Sequence, residues 1–469
     1  MAVFKDILLN LPEVAGPTQK RLSFKDKLKW TAITLVLFFV LGLIPLFGLG
    51  QNALQQFEYL SLILGAKFGS LISLGIGPIV TASIVLQLLN GSGLVKFDLT
   101  TQEGKKYFQG TQKLLAFFFI IFEAAIYVFM GGLAPDATLR GTSLFFQLEL
   151  IIVLQLVLGG ILILFMDEVV SKWGFGSGIS LFIVAGVSQE IFIRAFSWLK
   201  GPGGEAGGIS YSTGKVIQLF QSLAAGDPTT AGLAFAAIVS TILVFVIAVY
   251  AQSMKVEIPL SFGRIRGYGV RWPLQFIYTS NIPVILVAAL FANMQLWARL
   301  LQNWGHPLLG TYDSSGAASG LVSYITPPRL VEMIIQQGGF AIGFKPYFHA
   351  IVYVLLMIGG AVLFSYFWVQ TAGMDAKTQA RNIMSSGLQI PGFRKDERIL
   401  ERVLDRYIGP LTIMGAIVIG FLAAVADLSG ALSHGTGILL SVMIVYRLYE
   451  EIAQKHMMDM YPGLRRMME

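Results

Sequence analysis

The chain contains no cysteine, which excludes disulfides and thiolate metal ligation outright. It has four histidines, His306, His349, His434 and His456, scattered along its length, and no HExxH-type motif. Metalloprotease chemistry therefore lacks its ligands, and no Ser or Asp pairing inside an apolar segment suggests an enzyme of the membrane interior. Charge is scarce as well. Asp, Glu, Lys and Arg make up 13% of the residues, about half the roughly 25% usual in soluble domains. No P-loop is present either. GFGSGIS at 174–180 resembles a phosphate-cradling loop but lacks the lysine and follows an apolar run rather than a strand. It reads better as a tight inward turn that starts the fifth helix, with Asp167 and Glu168 at the interface. No cofactor or metal is expected.

What the sequence has is apolar length. Hydrophobic residues are 55% of the chain, and ten segments reach the roughly 20 residues a spanning helix needs. They lie near 31–48, 71–90, 113–133, 143–166, 178–196, 231–252, 274–302, 347–370, 408–427 and 435–454. No cleavable signal peptide is expected, because the first run follows a polar arm of about thirty residues without a small-residue cleavage site. With the N-terminus placed inside, 26 of the 34 Lys and Arg fall on the inner side. That bias orients both termini inward and accounts for most of the net charge of +7. The arm's KRLSFKDKLKW suits an anionic inner leaflet.

Two of the ten segments carry a proline among apolar residues: SLISLGIGPIVTASIVLQLL with Pro78 and FIYTSNIPVILVAALFAN with Pro283. Loosened backbone at membrane depth is tolerated where it is buried in protein or lines a cavity, and paired interruptions in two halves point to a central path. Around them stand Ile76, Ile79, Val80, Ile282, Val284 and Ile285. A solute site needs convergent polar groups, whereas an Ile/Val wall can close a pore without binding what passes. Intramembrane acids are few. Glu123 is the clear one and Asp427 lies near a helix end, thin support for ion coupling. The alternative, a small-solute secondary transporter, would require a polar constriction.

Between the first two spans, QNALQQFEYLSLILGAKFGS carries Leu54, Phe57, Leu60 and Leu64 at helical spacing. It is too short to cross, and a re-entrant helix and a surface helix fit it equally. The outward segments 197–230 and 303–345 are rich in Gly, Ser and Pro and read as loops. Two inward loops, 255–273 and 371–407, are basic with Gly and Pro at would-be tips. The second ends in DERILERVLDRY, a charged helix with Ile399, Val403 and Leu404 on one side.

SLISLGIGPIVTASIVLQLL and FMDEVVSKWGFGSGISLFI resemble the two diagnostic segments of the SecY protein-translocation channel family. YTSNIPVILVAALFANMQLW, LQIPGFRKDE and SHGTGILLSVMIVYRLYE are similar to its later spans and loops, and LPEV with FKDKLKWT to its arm. The pattern is nearest the archaeal branch, with the eukaryotic one related. The resemblance implies an all-α polytopic membrane protein of ten transmembrane helices. They form two pseudo-symmetric inverted halves, spans one to five and six to ten, around an hourglass pore. It divides the chain into a cytosolic arm (1–30), an N-terminal half (31–200), an external loop (201–230), a C-terminal half (231–454) and a cytosolic tail (455–469). Matched motif to motif, the apolar pore ring would be Ile76, Val80, Ile179, Ile183, Ile285 and Leu440. The plug would lie at about 53–66, with Leu54, Phe57, Leu60 and Leu64. The lateral gate would carry Thr81, Glu123 and Asn293, and Arg264, Arg266 and Arg394 would dock the ribosome, with ribosomal RNA among the contacts. Implied partners are a SecE-type (gamma) subunit, a small beta-type subunit, the ribosome or another cytosolic motor, signal-bearing polypeptides and the lipid bilayer of the plasma membrane. The implied activity is passage of unfolded secretory polypeptides, with lateral release of hydrophobic helices into lipid and no catalysis.

Overall fold

The computed structural model describes residues 11–18, 22–50, 69–91, 94–95, 97, 101–129, 132–200, 211–262, 269–279, 282–303, 305–312, 318–338, 343–385, 388–389, 396–433 and 435–460. Within them a helix stands at each of the ten expected spans. The first half has α1 (Phe24–Gly42), α2 (Gly77–Gly91), α3 (Gln102–Phe129), α4 (Ser143–Trp173) and α5 (Gly178–Phe196). An outward helix α6 (Lys215–Ala225) leads to the second half, beginning with α7 (Pro228–Ser253) and the strands β1 (Lys255–Phe262) and β2 (Gly269–Gln275). Then come α8 (Ile282–Asn303), the short outward helices α9 (Leu321–Tyr324) and α10 (Leu330–Gln337), and α11 (Phe344–Thr371). The inward α12 (Ala376–Ser385) and β3 (Leu388–Gln389) precede α13 (Glu397–Leu428) and α14 (Gly435–Met460). The spans are α1–α5, α7, α8, α11, α13 and α14.

The sequence reading took Pro78 and Pro283 to interrupt spanning helices, and the structure corrects this: neither does. Each sits at the second residue of one, in α2 and α8. The first-turn N–H groups have no intrahelical partner in any case, so proline's missing donor costs nothing there. Turns occupy 71–76 before α2 and 276–279 before α8, so the shared feature of the two halves is a late helix start. The first helix also ends earlier than expected, at Gly42. The chain then pairs antiparallel with the segment entering α2, through Leu46 N to Gly69 O and Leu71 N to Ile44 O, both 2.9 Å.

Close packing inside the first half depends on small residues. A Cβ on Gly159 would stand 1.9 Å from Leu71 O, and one on Gly160 would stand 2.7 Å from the Ile120 side chain. The two glycines let α4 lie against α3 and the turn before α2, burying Ile120, Ala124, Ile152 and Leu156. In the second half α11 packs along α13 and α8.

The inward side departs furthest from expectation. Residues 255–262 and 269–275 pair as antiparallel strands, with Lys255 opposite Gln275 and Ser261 opposite Gly269. β1 pairs on its other edge with β3 through Phe262 and Leu388. The two basic loops are thus stitched into one sheet of order β2-β1-β3. DERILERVLDRY is not a separate helix but the inward end of α13, which runs unbroken through Pro410. Its buried stripe is Leu400, Leu404, Ile408 and Leu411, packed on Ile258, Leu274 and α12. Leu404 belongs to that stripe, while Ile399 and Val403 are only half-buried. The outward loop 197–230 likewise holds a helix, α6, closed by Gly226 in the left-handed conformation (φ 73°).

Candidate functional site

At the centre of the molecule, side chains of both halves meet in one apolar cluster. Val80 of α2 and Leu440 of α14 are buried in it, and Ile76, Ile179 and Ile285 pack against it. Ile183 is half-buried, one turn beyond Ile179 on the same face of α5. Five of the six expected ring residues therefore share one cluster, drawn from α2 and its entry turn, α5, α8 and α14. Val284, Ile438 and Leu439 are buried with them. Ile, Val and Leu side chains packed in this way exclude water.

Beside it runs a seam between α2 and α3 on one side and α8 on the other. The Asn293 amide donates to Thr81 Oγ1 at 3.3 Å, and Thr81 in turn donates to Gly77 O at 2.9 Å. Glu123 faces the Thr81 hydroxyl, and a Cβ on Gly77 would lie 3.5 Å from Glu123 Oε2. The three expected gate residues line a single cavity of about 50 Å³ with Phe119, Phe122, Ile126 and Trp297. Phe122 and Trp297 close the seam toward its edge, their ring centroids 6.1 Å apart. These aromatics were not anticipated, yet their spacing was visible. Phe119, Phe122, Glu123 and Ile126 fall at i, i+3, i+4 and i+7 of α3, and Asn293 and Trp297 at i and i+4 of α8, so each set shares a face.

Two polar networks hold elements away from the seam. Glu190 accepts from Ser433 Oγ at 2.7 Å and pairs with Arg194 at 2.9 Å, and Arg194 reaches Leu432 O at 3.2 Å. These bonds join α5 to the turn before α14 and so link the two halves. Asp427 accepts from Tyr353 Oη at 2.7 Å and from the Thr436 N–H at 2.9 Å, binding α11, α13 and α14 together. With its oxygens so engaged, it reads as a structural acid.

The FMDEVVSKWGFGSGIS segment is a junction. GFGSGIS turns into the start of α5 as expected, and Asp167 accepts from the Ile179 N–H at 2.9 Å and so caps that helix. Gly178 is required there, since a Cβ would stand 2.5 Å from Asp167 Cα. Glu168, Lys172 and Trp173 turn to the N-terminal arm. The plug candidates Leu54, Phe57, Leu60 and Leu64, and the docking candidates Arg264, Arg266 and Arg394, lie outside the described residues. The strands that flank residues 263–268 and the strand preceding Arg394 are the ones joined in the sheet.

Comparison with known proteins agrees with this architecture. The SecY family profile matches residues 70–449. The protein translocase subunit SecY of Methanothermobacter thermautotrophicus is 47% identical, over 98% of this chain and 97% of its own length. A solved protein-conducting channel is 43% identical with a TM-score of 0.80, covering 97% of this chain and 98% of that one. Sec61 in a canine ribosome–channel complex is 42% identical with a TM-score of 0.77 over the same shares. A family profile spanning most of the chain, a near full-length relative and the matching fold lead to one conclusion: the chain belongs to the SecY family.

Proposed function

We infer that the chain is the central pore-forming subunit of a protein translocase. It is a passive, gated channel for unfolded secretory polypeptides that also releases hydrophobic helices sideways into lipid. The observation that carries this reading is the apolar cluster contributed by both halves, set beside a seam with few polar contacts. A polypeptide presents every side-chain chemistry in turn, so its conduit must exclude water and ions without binding any one group. Ile76, Val80, Ile179, Ile183, Ile285 and Leu440 would form the constriction. β-Branched side chains, stiff at χ1, make a firm collar. Residues 53–66 would supply the plug. Thr81, Glu123 and Asn293 would be the latch of the lateral gate. A solute transporter has no counterpart for this wall, and the subunit performs no chemistry of its own.

The relative seen bound to a ribosome supports assigning the basic inward loops to docking of the ribosome or another motor, with Arg264, Arg266 and Arg394 meeting ribosomal RNA phosphates and proteins. A SecE-type and a small beta-type subunit would complete the complex.

The natural absence of cysteine makes the test clean. With one cysteine at Val80 and the channel reconstituted with its partners, a secretory chain bearing a single cysteine is stalled midway through export. A signal-dependent disulfide at Val80, absent from a lipid-facing control, is expected. No crosslink at Val80 or at Ile285, in a preparation that exports protein, would place the conduit elsewhere.

A further inference from the structure

Residues 12–16 of the arm, PEVAG, lie across the inward ends of two spanning helices and are bonded to them through Pro12 O, the Glu13 carboxylate, the Val14 N–H and C=O, and Ala15 O. The Val14 N–H donates to Glu168 Oε2 at 2.8 Å. The Trp173 indole donates to Ala15 O at 2.9 Å. Lys172 reaches both Val14 O and the Glu13 carboxylate. Lys113, on α3, bonds Pro12 O and pairs with Glu168 of α4. That last pair is largely shielded, its side chains 12% and 16% exposed. On the other side, Trp173 packs on Trp30 and Phe175 on Phe24, which brings α1 into the same assembly. Lys172 beside Glu13, with Lys113 and Lys106 nearby, holds the Glu13 carboxyl below the usual carboxylate range.

Resting on the channel reading above, we propose that residues 12–16 are a strap that fastens the inward end of the gate helix α3 to α4 and α1, and that Glu13, Lys113, Glu168, Lys172 and Trp173 thereby set how strong a signal must be to open the seam. The geometry supplies the reason. Lys113 stands ten residues before Glu123, about 15 Å along α3. Phe119, Phe122, Glu123 and Ile126 form that helix's share of the seam. A strapped α3 leaves the seam only if α1 and α4 move with it. Without the strap, α3 is held at this end only by the Lys113–Glu168 pair and its packing on α4, and it leaves the seam at lower cost. The restraint therefore adds to the cost of opening, which a hydrophobic signal helix must overcome.

Two substitutions test this without touching the seam. Glu13→Lys acts on an arm residue whose side chain is 64% exposed, so the fold does not depend on it, and it sets a like charge against Lys172, Lys113 and Lys106. Trp173→Phe removes the N–H donated to Ala15 O and keeps a smaller aromatic ring facing Trp30. In the reconstituted complex, each is expected to speed hydrogen exchange at the Val14 amide by roughly fivefold, the scale of one partly exposed ionic contact. Export of a substrate with a weakened signal should rise by a similar factor, with Glu13→Gln falling between. Export through a strong signal should stay unchanged. If the amide loosens while export of the weakened substrate does not change, or if neither variant loosens the amide, the strap is overturned. Failure of the unmodified complex to export even the strong-signal substrate would instead sink the channel reading.

Discussion

A single methyl group separates a tolerated change from a damaging one in this chain. Gly159→Ala places its Cβ 1.9 Å from the Leu71 carbonyl, a backbone atom that cannot rotate away. The expected cost is about 1–3 kcal/mol, the usual range for overpacking. Gly359→Ala on α11 meets nothing within 4 Å and should change stability by less than about 1 kcal/mol. Thermal unfolding of the purified complex distinguishes the two, and equal melting temperatures would contradict the close approach of α4. At the seam the quantity at stake is smaller. Asn293→Leu removes the amide that meets Thr81 at 3.3 Å, and Glu123→Gln replaces the carboxyl that faces the same hydroxyl with an amide. Interhelical polar contacts in membranes are worth about 0.6–2 kcal/mol. Each variant should therefore shift the signal hydrophobicity required for export, and unchanged signal dependence in both would remove the latch.

At the scale of elements, α7 begins with a cap whose titration is specific. Asp227 accepts from the Thr229 and Thr230 N–H groups and hydroxyls, which lower its pKa to about 2. A carboxyl depressed in the folded state stabilises above its unfolded value of about 3.9 and loses that contribution as pH falls toward the folded value. The amides of Thr229 and Thr230, corrected for intrinsic exchange, should keep their protection at pH 5 and lose it between about pH 4 and pH 2. Asp227→Asn should be flat across that window. The elements themselves were unevenly legible. Every span was visible as an apolar run, because a helix in lipid must satisfy its own backbone and carry apolar side chains all round. The helix starts at Pro78 and Pro283 were misread as interruptions, since a proline among apolar residues looks alike in a first turn and in a middle. The strand pair was missed because Pro259 and Pro273 argue against a strand. Yet KVEIPL alternates charged and apolar residues, and the pair's apolar side, Ile258 and Leu274, rests on Leu400 and Leu404. That contact is long-range, and no local pattern announces it. Glu123 stood out by itself as an intramembrane acid, but its grouping with Thr81 and Asn293 came only through family likeness, and Phe122 and Trp297 needed the packed helices to be noticed.

At the scale of the whole molecule, charge is segregated and the inward face carries most of it. Arg264→Glu combined with Arg394→Glu should weaken ribosome binding and flatten its dependence on salt, because each lost phosphate contact removes about one counterion from the balance. Intact affinity with an intact salt slope would leave those arginines as topology signals alone.

The unbroken course of α13 gives that inward face a mechanical meaning. Its 32 residues amount to about 48 Å of rod, against a hydrocarbon layer of about 30 Å. Some 18 Å therefore stand clear of the membrane as a handle, with the three-stranded sheet leaning on it through Leu400 and Leu404. The far end carries Asp427, to which α11 and α14 are tied. A machine that grips the inward loops holds a lever whose load is the outer wall of the second half. Pro410, which forgoes a hydrogen bond in the rod's interior, is the point where that lever has the most give.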